Sequence, residues 1–420
     1  MFIGSLSLTA GNGIILGYAG RVSAPAEGKT DMDIGEIKDS VVRDIDSSYK
    51  QLHELSRKLH DTPETAMEEH RAAAWLTECL EENGFSVERG ICDLPTAFRG
   101  KYGHGKPAIA FLAEYDALPK VGHACGHNLI ATSSIAAGIA CRKVVDELGG
   151  SVTVFGTPGE ELAGGKAIMA ERGAFTDVDI AMITHPGGGN HVVINALACQ
   201  NLYIEFFGRA AHAAADPEAG INALAAMILS YNAIDALRQH IRDKARIHGI
   251  ITDGGEAANI VPAHTAATFM VRVADGRDLD ELKEKVINCF AGAAAATGAE
   301  LKYKWDEVRY ASMKPNLALG RLFQKNMATL GRRIPLGDDV KSSGSTDVGN
   351  VSQLLPAIHP TVSIAPDSVL IHTPEFAEAA ATEDALRRML DAAKAMAMTA
   401  VDLLASPDIL AKVQAEFKKG

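Results

Sequence analysis

The chain has 420 residues, 47% of them hydrophobic, which is enough for one large core or two smaller ones. Its 53 acidic side chains against 41 basic ones give a net charge of -12, so there is no basic field to hold a phosphate backbone, and nucleic acid is excluded as an expected partner. Six cysteines (Cys79, Cys92, Cys125, Cys141, Cys199 and Cys289) are scattered without a C-x-x-C pair, which argues against a disulfide scaffold and for a reducing compartment.

The first 26 residues are Gly/Ser-rich and mildly apolar but carry no basic residue before Arg21, so they lack the start of a secretory signal. They read as a loosely attached extension within residues 1–35, and the protein is expected to be cytoplasmic. No run reaches the roughly 18 apolar residues of a membrane span. Between Ser40 and Phe85 apolar residues recur at helical spacing, broken at Asp61-Thr62-Pro63, which predicts two helices. Short β-like runs follow at 107–113, 151–157 and 180–184, with an Ala/Ile-rich helix at 129–147 between the first two. This alternation predicts an α/β fold with a mostly parallel sheet covered by helices on both faces.

After Cys199 the order changes. Strands at 202–207, 246–252, 265–273 and 300–305, with helices at 220–241 and 279–296, give the ferredoxin-like βαββαβ order. An apolar segment at 362–364 and a helical run at 378–404 then resume the earlier style. The expected organisation is a catalytic domain in two parts, 1–198 and 313–420, interrupted by an inserted lid or dimerisation domain at 199–312.

Metal-capable residues concentrate in four segments placed where strands give way to loops or helices, as sites in open α/β sheets are. They are AEYDALP at 113–119 with GHACGHN at 122–128, GTPGEE at 156–161, THP at 184–186, and IHTPEF at 371–376. Together they supply Cys125, His127, Glu161, His185 and His372, enough for one or two divalent ions. Of two adjacent carboxylates after a strand, one can bind metal while the other reaches a metal-bound water. Each short segment is common in solvated loops when taken alone; their joint occurrence and order point to a metal centre.

These segments, in this order, resemble the aminoacylase and carboxypeptidase-type metallopeptidases, family twenty of the peptidase classification, in the branch of the indole-acetyl-amino-acid and p-aminobenzoyl-glutamate hydrolases. The likeness runs from about Leu52 to the C-terminus. It implies Cys125, His127, Glu161, His185 and His372 as ligands of one or two Mn or Zn ions, Glu160 as general base, and Asp116 as a supporting carboxylate. It further implies His212, in GRAAHA at 208–213, as a group that holds substrate or developing oxyanion, often across a dimer interface. Asn259 and Arg272 match positions that meet a substrate carboxylate. The sequence departs from the family pattern at Asn128, where many relatives have Asp, at Gly159, usually Ala, and in the glycine run 187–189 beside His185.

The reading is therefore hydrolysis of a carbon-nitrogen bond, an amide of a small N-acyl amino acid or aminobenzoyl-type substrate, by a homodimer or larger homo-oligomer without nucleic-acid or membrane partners. Two rivals stand beside it. One is hydrolytic deamination of an activated aromatic amine such as a nitroanthranilate; the other is a non-catalytic metal-binding or dimerisation protein. A serine hydrolase is excluded, because GSTD at 344–347 is not the G-x-S-x-G elbow.

Overall fold

A computed structural model describes residues 33–337 and 344–419. The expected N-terminal extension lies outside the described residues except at its end, where the first helix begins. Helices α1 (Ile34–Ser47), α2 (Tyr49–His60) and α3 (His70–Glu82) replace the expected pair. The extra break falls at Ser48, whose amide donates to the carbonyls of both Asp44 and Ile45 while the apolar rhythm continues across it. Strands β1 (Ser86–Arg89), β2 (Phe98–His104) and β3 (Ala108–Ala113) lead to α4 (His127–Leu148), then β4 (Gly150–Gly156), α5 (Gly165–Glu171), β5 (Ile180–Met182) and β6 (His185–Gly187). The inserted segment contributes β7 (Ala198–Phe207), α6 (Ala223–Leu237), β8 (Arg246–Asp253), β9 (His264–Val273), α7 (Asp278–Thr297) and β10 (Glu300–Trp305). The chain closes with α8 (Leu317–Thr329), α9 (Val348–Leu354), β11 (Ala357–Ile358), β12 (Thr361–Ser363), α10 (Pro374–Ala380), α11 (Glu383–Ala405) and α12 (Pro407–Lys419).

The main sheet runs β1-β2-β4-β3-β5-β11. Strand β3 is parallel to β4 and β5, and β11 is parallel to β5, whereas β1 and β2 pair antiparallel at one edge. The sheet is thus mixed. All six residues of β3 are buried, because helices cover both faces. Ile109, Phe111 and Ala113 face a core shared with α4 and α11, while Ala110 and Leu112 face a second one with Met169 of α5 and Val348 of α9. From β3 the chain passes to β4 on one side and later to β5 on the other. That reversal opens a crevice beyond the carboxyl ends of these strands.

The insert forms an antiparallel sheet, β10-β7-β9-β8, with α6 and α7 on one face, in the βαββαβ order expected. Strict alternation on β9 turns Ala267, Phe269 and Val271 inward. Phe290 of α7 meets Phe269 edge-on at 5.2 Å between ring centroids, a contact adding about 1 kcal/mol beyond area burial. Among the described residues no helix is long and apolar enough to cross a membrane.

Candidate metal centre and catalytic cleft

The carboxyl ends of three neighbouring strands deliver the site. β3 is followed by Glu114 and Asp116, β4 by Glu160 and Glu161, and β5 by His185. Cys125 and His127 arrive from the turn into α4, where Gly126 adopts φ +76; a Cβ there would stand 2.5 Å from Cγ of Pro186. Only glycine therefore lets the turn approach the segment holding His185. His372 comes from the loop before α10 in a left-handed conformation, φ +68, with its amide donating to the Ala124 carbonyl at 2.8 Å. Left-handed backbone at a non-glycine residue persists only where surroundings hold it, and such residues cluster at functional sites.

Side-chain atoms of Cys125, His127 and His185 come within 4.8 Å of one another, as do those of Cys125, Glu161 and His372, and those of His127, Glu160 and Glu161. Cys125 Sγ and His185 Nε2 are 3.4 Å apart, His372 Nε2 and Glu161 Oε1 3.4 Å, and His127 Nε2 and Glu161 Oε1 3.9 Å. Two donors on one tetrahedral ion stand about 3.3–3.7 Å apart, so the two 3.4 Å spacings suit shared cations and the 3.9 Å one lies just beyond. His127 Nε2 and Glu161 Oε1 are buried with no hydrogen-bond partner, a cost of about 1–3 kcal/mol each that a bound cation would remove. One thiol with imidazoles and a carboxylate is a donor set for a divalent transition metal rather than calcium or magnesium.

Supporting contacts orient these donors. Asp116 Oδ1 lies 2.9 Å from His127 Nδ1, which fixes the ring so that Nε2 faces the site, and Asp116 Oδ2 accepts the Glu161 amide at 3.0 Å. Burial acts to raise the Asp116 carboxyl, but the adjacent His127 outweighs it and the group lies below its usual value. Glu160 is pushed the opposite way, well above the ordinary carboxyl range, by burial and then by the Glu114 and Asp347 carboxylates. Asn128 turns away from the cluster: its amide donates to Ser56 Oγ and the Ala380 carbonyl.

A cavity of about 1030 Å³ opens over this cluster, lined by Cys125, Glu160, Glu161, His185, His359, His372, Arg272 and Tyr310, among others. Aligned along nearly its whole length, the chain is 38% identical to the Xaa-Arg dipeptidase of Mus musculus over 415 residues, covering 94% of this chain and 96% of that one. The chain belongs to the M20 metallopeptidase family. It is accordingly a metal-dependent hydrolase acting on carbon-nitrogen bonds. Similarity extends to one of the polypeptides of the p-aminobenzoyl-glutamate hydrolase of Escherichia coli, 30% identical with 89% of this chain and 93% of that one covered. The model of the peptidase dimerisation domain matches residues 200–297, within the insert. A solved dinuclear metal-binding peptidase of the M20 family from Bacillus subtilis shares the fold at a TM-score of 0.65 and 22% identity, over 86% of this chain and 99% of that one.

Of the residues expected to meet substrate, the M20 fold brings Arg272 to the cavity wall, where Nη1 lies 3.2 Å from Ser345 Oγ. His212 and Asn259 are exposed on the insert and are not among the cavity-lining residues of their own chain. His212 Nδ1 accepts the amides of Ala214 and Ala215, which leaves Nε2 to carry the proton of the neutral ring.

Several groups had no individual signal in the sequence. Lys166 is wholly buried between Glu114 and Asp347, its Nζ 2.7 Å from each carboxylate. Glu69, also buried, accepts the amides of Met67 and Gly159 and the Thr96 hydroxyl; burial and then Asp116 raise its carboxyl to about 7. His359 packs edge-on against His185 at 5.4 Å, with neither ring nitrogen hydrogen-bonded. Glu114 could have been suspected from its place beside Asp116 in AEYDALP, whereas Glu69 sits in a helix-start pattern that reads as solvated.

Proposed function

We propose that this M20 hydrolase cleaves the amide bond of a small substrate bearing a free carboxylate, with Glu160 as general base. The convergence of Cys125, Glu161, His185 and His372 on one cavity wall, with Glu160 beside them and His127 buried within the same cluster, carries this reading. These five residues would hold one or two divalent ions, Zn or Mn; the solved relative described as dinuclear metal-binding makes a pair of ions the first expectation. Bound there, such ions would supply Lewis acidity for lowering the pKa of water and polarising the amide carbonyl.

The chain's own residues do the rest. Glu160, as the carboxylate, takes a proton from the attacking water and returns it to the leaving nitrogen, so no covalent intermediate is needed; the burial and neighbouring carboxylates that raise its proton affinity strengthen it as a base. Arg272 pairs with the substrate carboxylate in a charge-assisted contact. The relative named as an Xaa-Arg dipeptidase makes dipeptides ending in arginine the first substrates to test, and Asp306 and Asp367 on the cavity wall suit a cationic side chain. The insert serves as a dimer contact, and across it His212 Nε2 and Asn259 would reach the partner's cleft, where an imidazole N–H can stabilise a developing oxyanion.

Replacing Glu160 with Gln tests the assignment. The variant is expected to keep the wild-type metal content and lose at least about a hundredfold in kcat. Wild-type turnover in that variant would remove Glu160 from the mechanism.

A further inference from the structure

The turn that carries the base, 159–164, is held by side chains from three different places. The Gly159 amide donates to Glu69 Oε1 at 2.9 Å, the Glu161 amide to Asp116 Oδ2 at 3.0 Å, and the Glu160 carbonyl accepts the Tyr310 hydroxyl at 2.7 Å. The first two anchors belong to the α/β body. Tyr310 does not: it follows β10 on the strand of chain that leaves the insert.

Its position there is fixed. Tyr310 and Cys199, one on the exit from the insert and the other at its entry, exchange both backbone hydrogen bonds at 3.0 Å. On the body side, the neighbouring Ala311 amide donates to Asn350 Oδ1 at 2.9 Å, and the Asn350 side chain donates in turn to the Arg309 carbonyl. The ring of Tyr310 is packed as tightly as its hydroxyl is bonded. Gly164, which ends the same turn at φ +65 and donates its amide to the Gly159 carbonyl at 2.8 Å, has no room for a Cβ: one would stand 2.6 Å from Tyr310 Cε1 and 2.7 Å from Val308 Cγ1. Hydroxyl and ring thus grip the turn at both ends, residue 160 and residue 164, and Tyr310 also lines the cavity.

We propose that Tyr310 is a positioning residue for the general base, clamping the turn 159–164 and tying the placement of Glu160 to the chain crossing that seats the insert. The proposal rests on Glu160 being the base. A carboxylate that must take a proton from water and deliver it to nitrogen has little tolerance in position, since small displacements of catalytic groups lose large factors in rate. The Tyr310 hydroxyl acts on the backbone of Glu160 and leaves its carboxylate free to react.

Tyr310→Phe keeps the ring against Gly164 and removes only the hydroxyl. The metal-loaded full-length variant, assayed on alanyl-arginine, is expected to lose about three- to tenfold in kcat with KM within about twofold of wild type, the size of one lost hydrogen bond. Metal content and thermal midpoint should stay at wild-type values. Hydrogen exchange of amides 160–164 should accelerate by about the same factor, with strand Gly150–Gly156 unchanged, and this arm needs no substrate. Unchanged kcat and unchanged exchange in Tyr310→Phe would overturn the proposal. So would a loss of rate that follows a fall in metal content or thermal midpoint, which marks a structural role only. Glu160→Gln run alongside separates the two claims: an active Glu160→Gln enzyme refutes the base, whereas an inactive one beside a wild-type-like Tyr310→Phe enzyme refutes the clamp alone.

Discussion

Replacing Lys166 with Met would expose how much of the site is held by buried charge. The ammonium lies 2.7 Å from Glu114 Oε1 and 2.7 Å from Asp347 Oδ1, and all three side chains are fully buried. Met matches the stem but leaves two carboxylates facing each other without a cation. Breaking a buried pair in this way costs about 3–5 kcal/mol. For a chain of this length the unfolding entropy near the midpoint is about 0.9 kcal/mol per degree, so the thermal midpoint should fall by about 3–6 °C. The loss must depend on pH. Burial, Glu114 and the other neighbours already place the Asp347 carboxyl at about 6 with Lys166 present, and without it the folded pKa rises further. The folded variant then holds a proton that the unfolded chain releases near pH 4, so its stability falls as pH rises through the folded pKa. Scanning calorimetry of metal-free wild type and Lys166→Met at pH 5.5 and 8 should show a gap that widens at the higher pH. Restoring part of the midpoint by adding Asp347→Asn would support the same cause. A shift below about 1 °C, equal at both pH values, would refute the reasoning.

Glu69→Gln keeps the acceptor for Gly159 and removes a carboxyl whose folded pKa, about 7, lies above the ordinary 4.5. Because the fold favours the protonated form, that group's stabilisation is complete below pH 4.5 and is lost as pH rises through 7. Metal-free wild type should thus lose up to about 3 kcal/mol relative to the variant between pH 4.5 and 8, read as converging or crossing melting curves. Gly126→Ala forces a Cβ to 2.5 Å from Pro186 at φ +76, and is expected to lower the thermal midpoint and the metal content together, measured by calorimetry and elemental analysis.

Legibility from sequence followed the range of the interactions. The residues proposed as donors and base stand out because they lie in short segments after strands or at helix starts, and the insert because its alternation and helical rhythms are strong. The helix breaks at Ser48 and between α10 and α11 were hidden, since apolar spacing continues across them. The edge strand β1 was also hidden: Ser-Val-Glu-Arg is mostly exposed and carries no buried face to set a pattern. The supporting groups act over distance in the chain, Glu69 on a residue 90 positions away, Tyr310 on one 150 away, and Lys166 on Asp347 181 away. Nothing local distinguishes such residues from ordinary polar surface, and only the folded sheet brings them behind Glu160.

The measurement that bears most directly on the central claim is product analysis with metal-stripped and Zn- or Mn-reloaded protein on a mixed panel: dipeptides ending in arginine, N-acyl amino acids, aminobenzoyl-glutamate and nitro-substituted aromatic amines. The account predicts release of a carboxylic acid and an amine in equal amounts, only with metal, and lost in Glu160→Gln. Ammonia with a new phenol as the metal-dependent products, or amide cleavage that persists in the stripped protein, would contradict it.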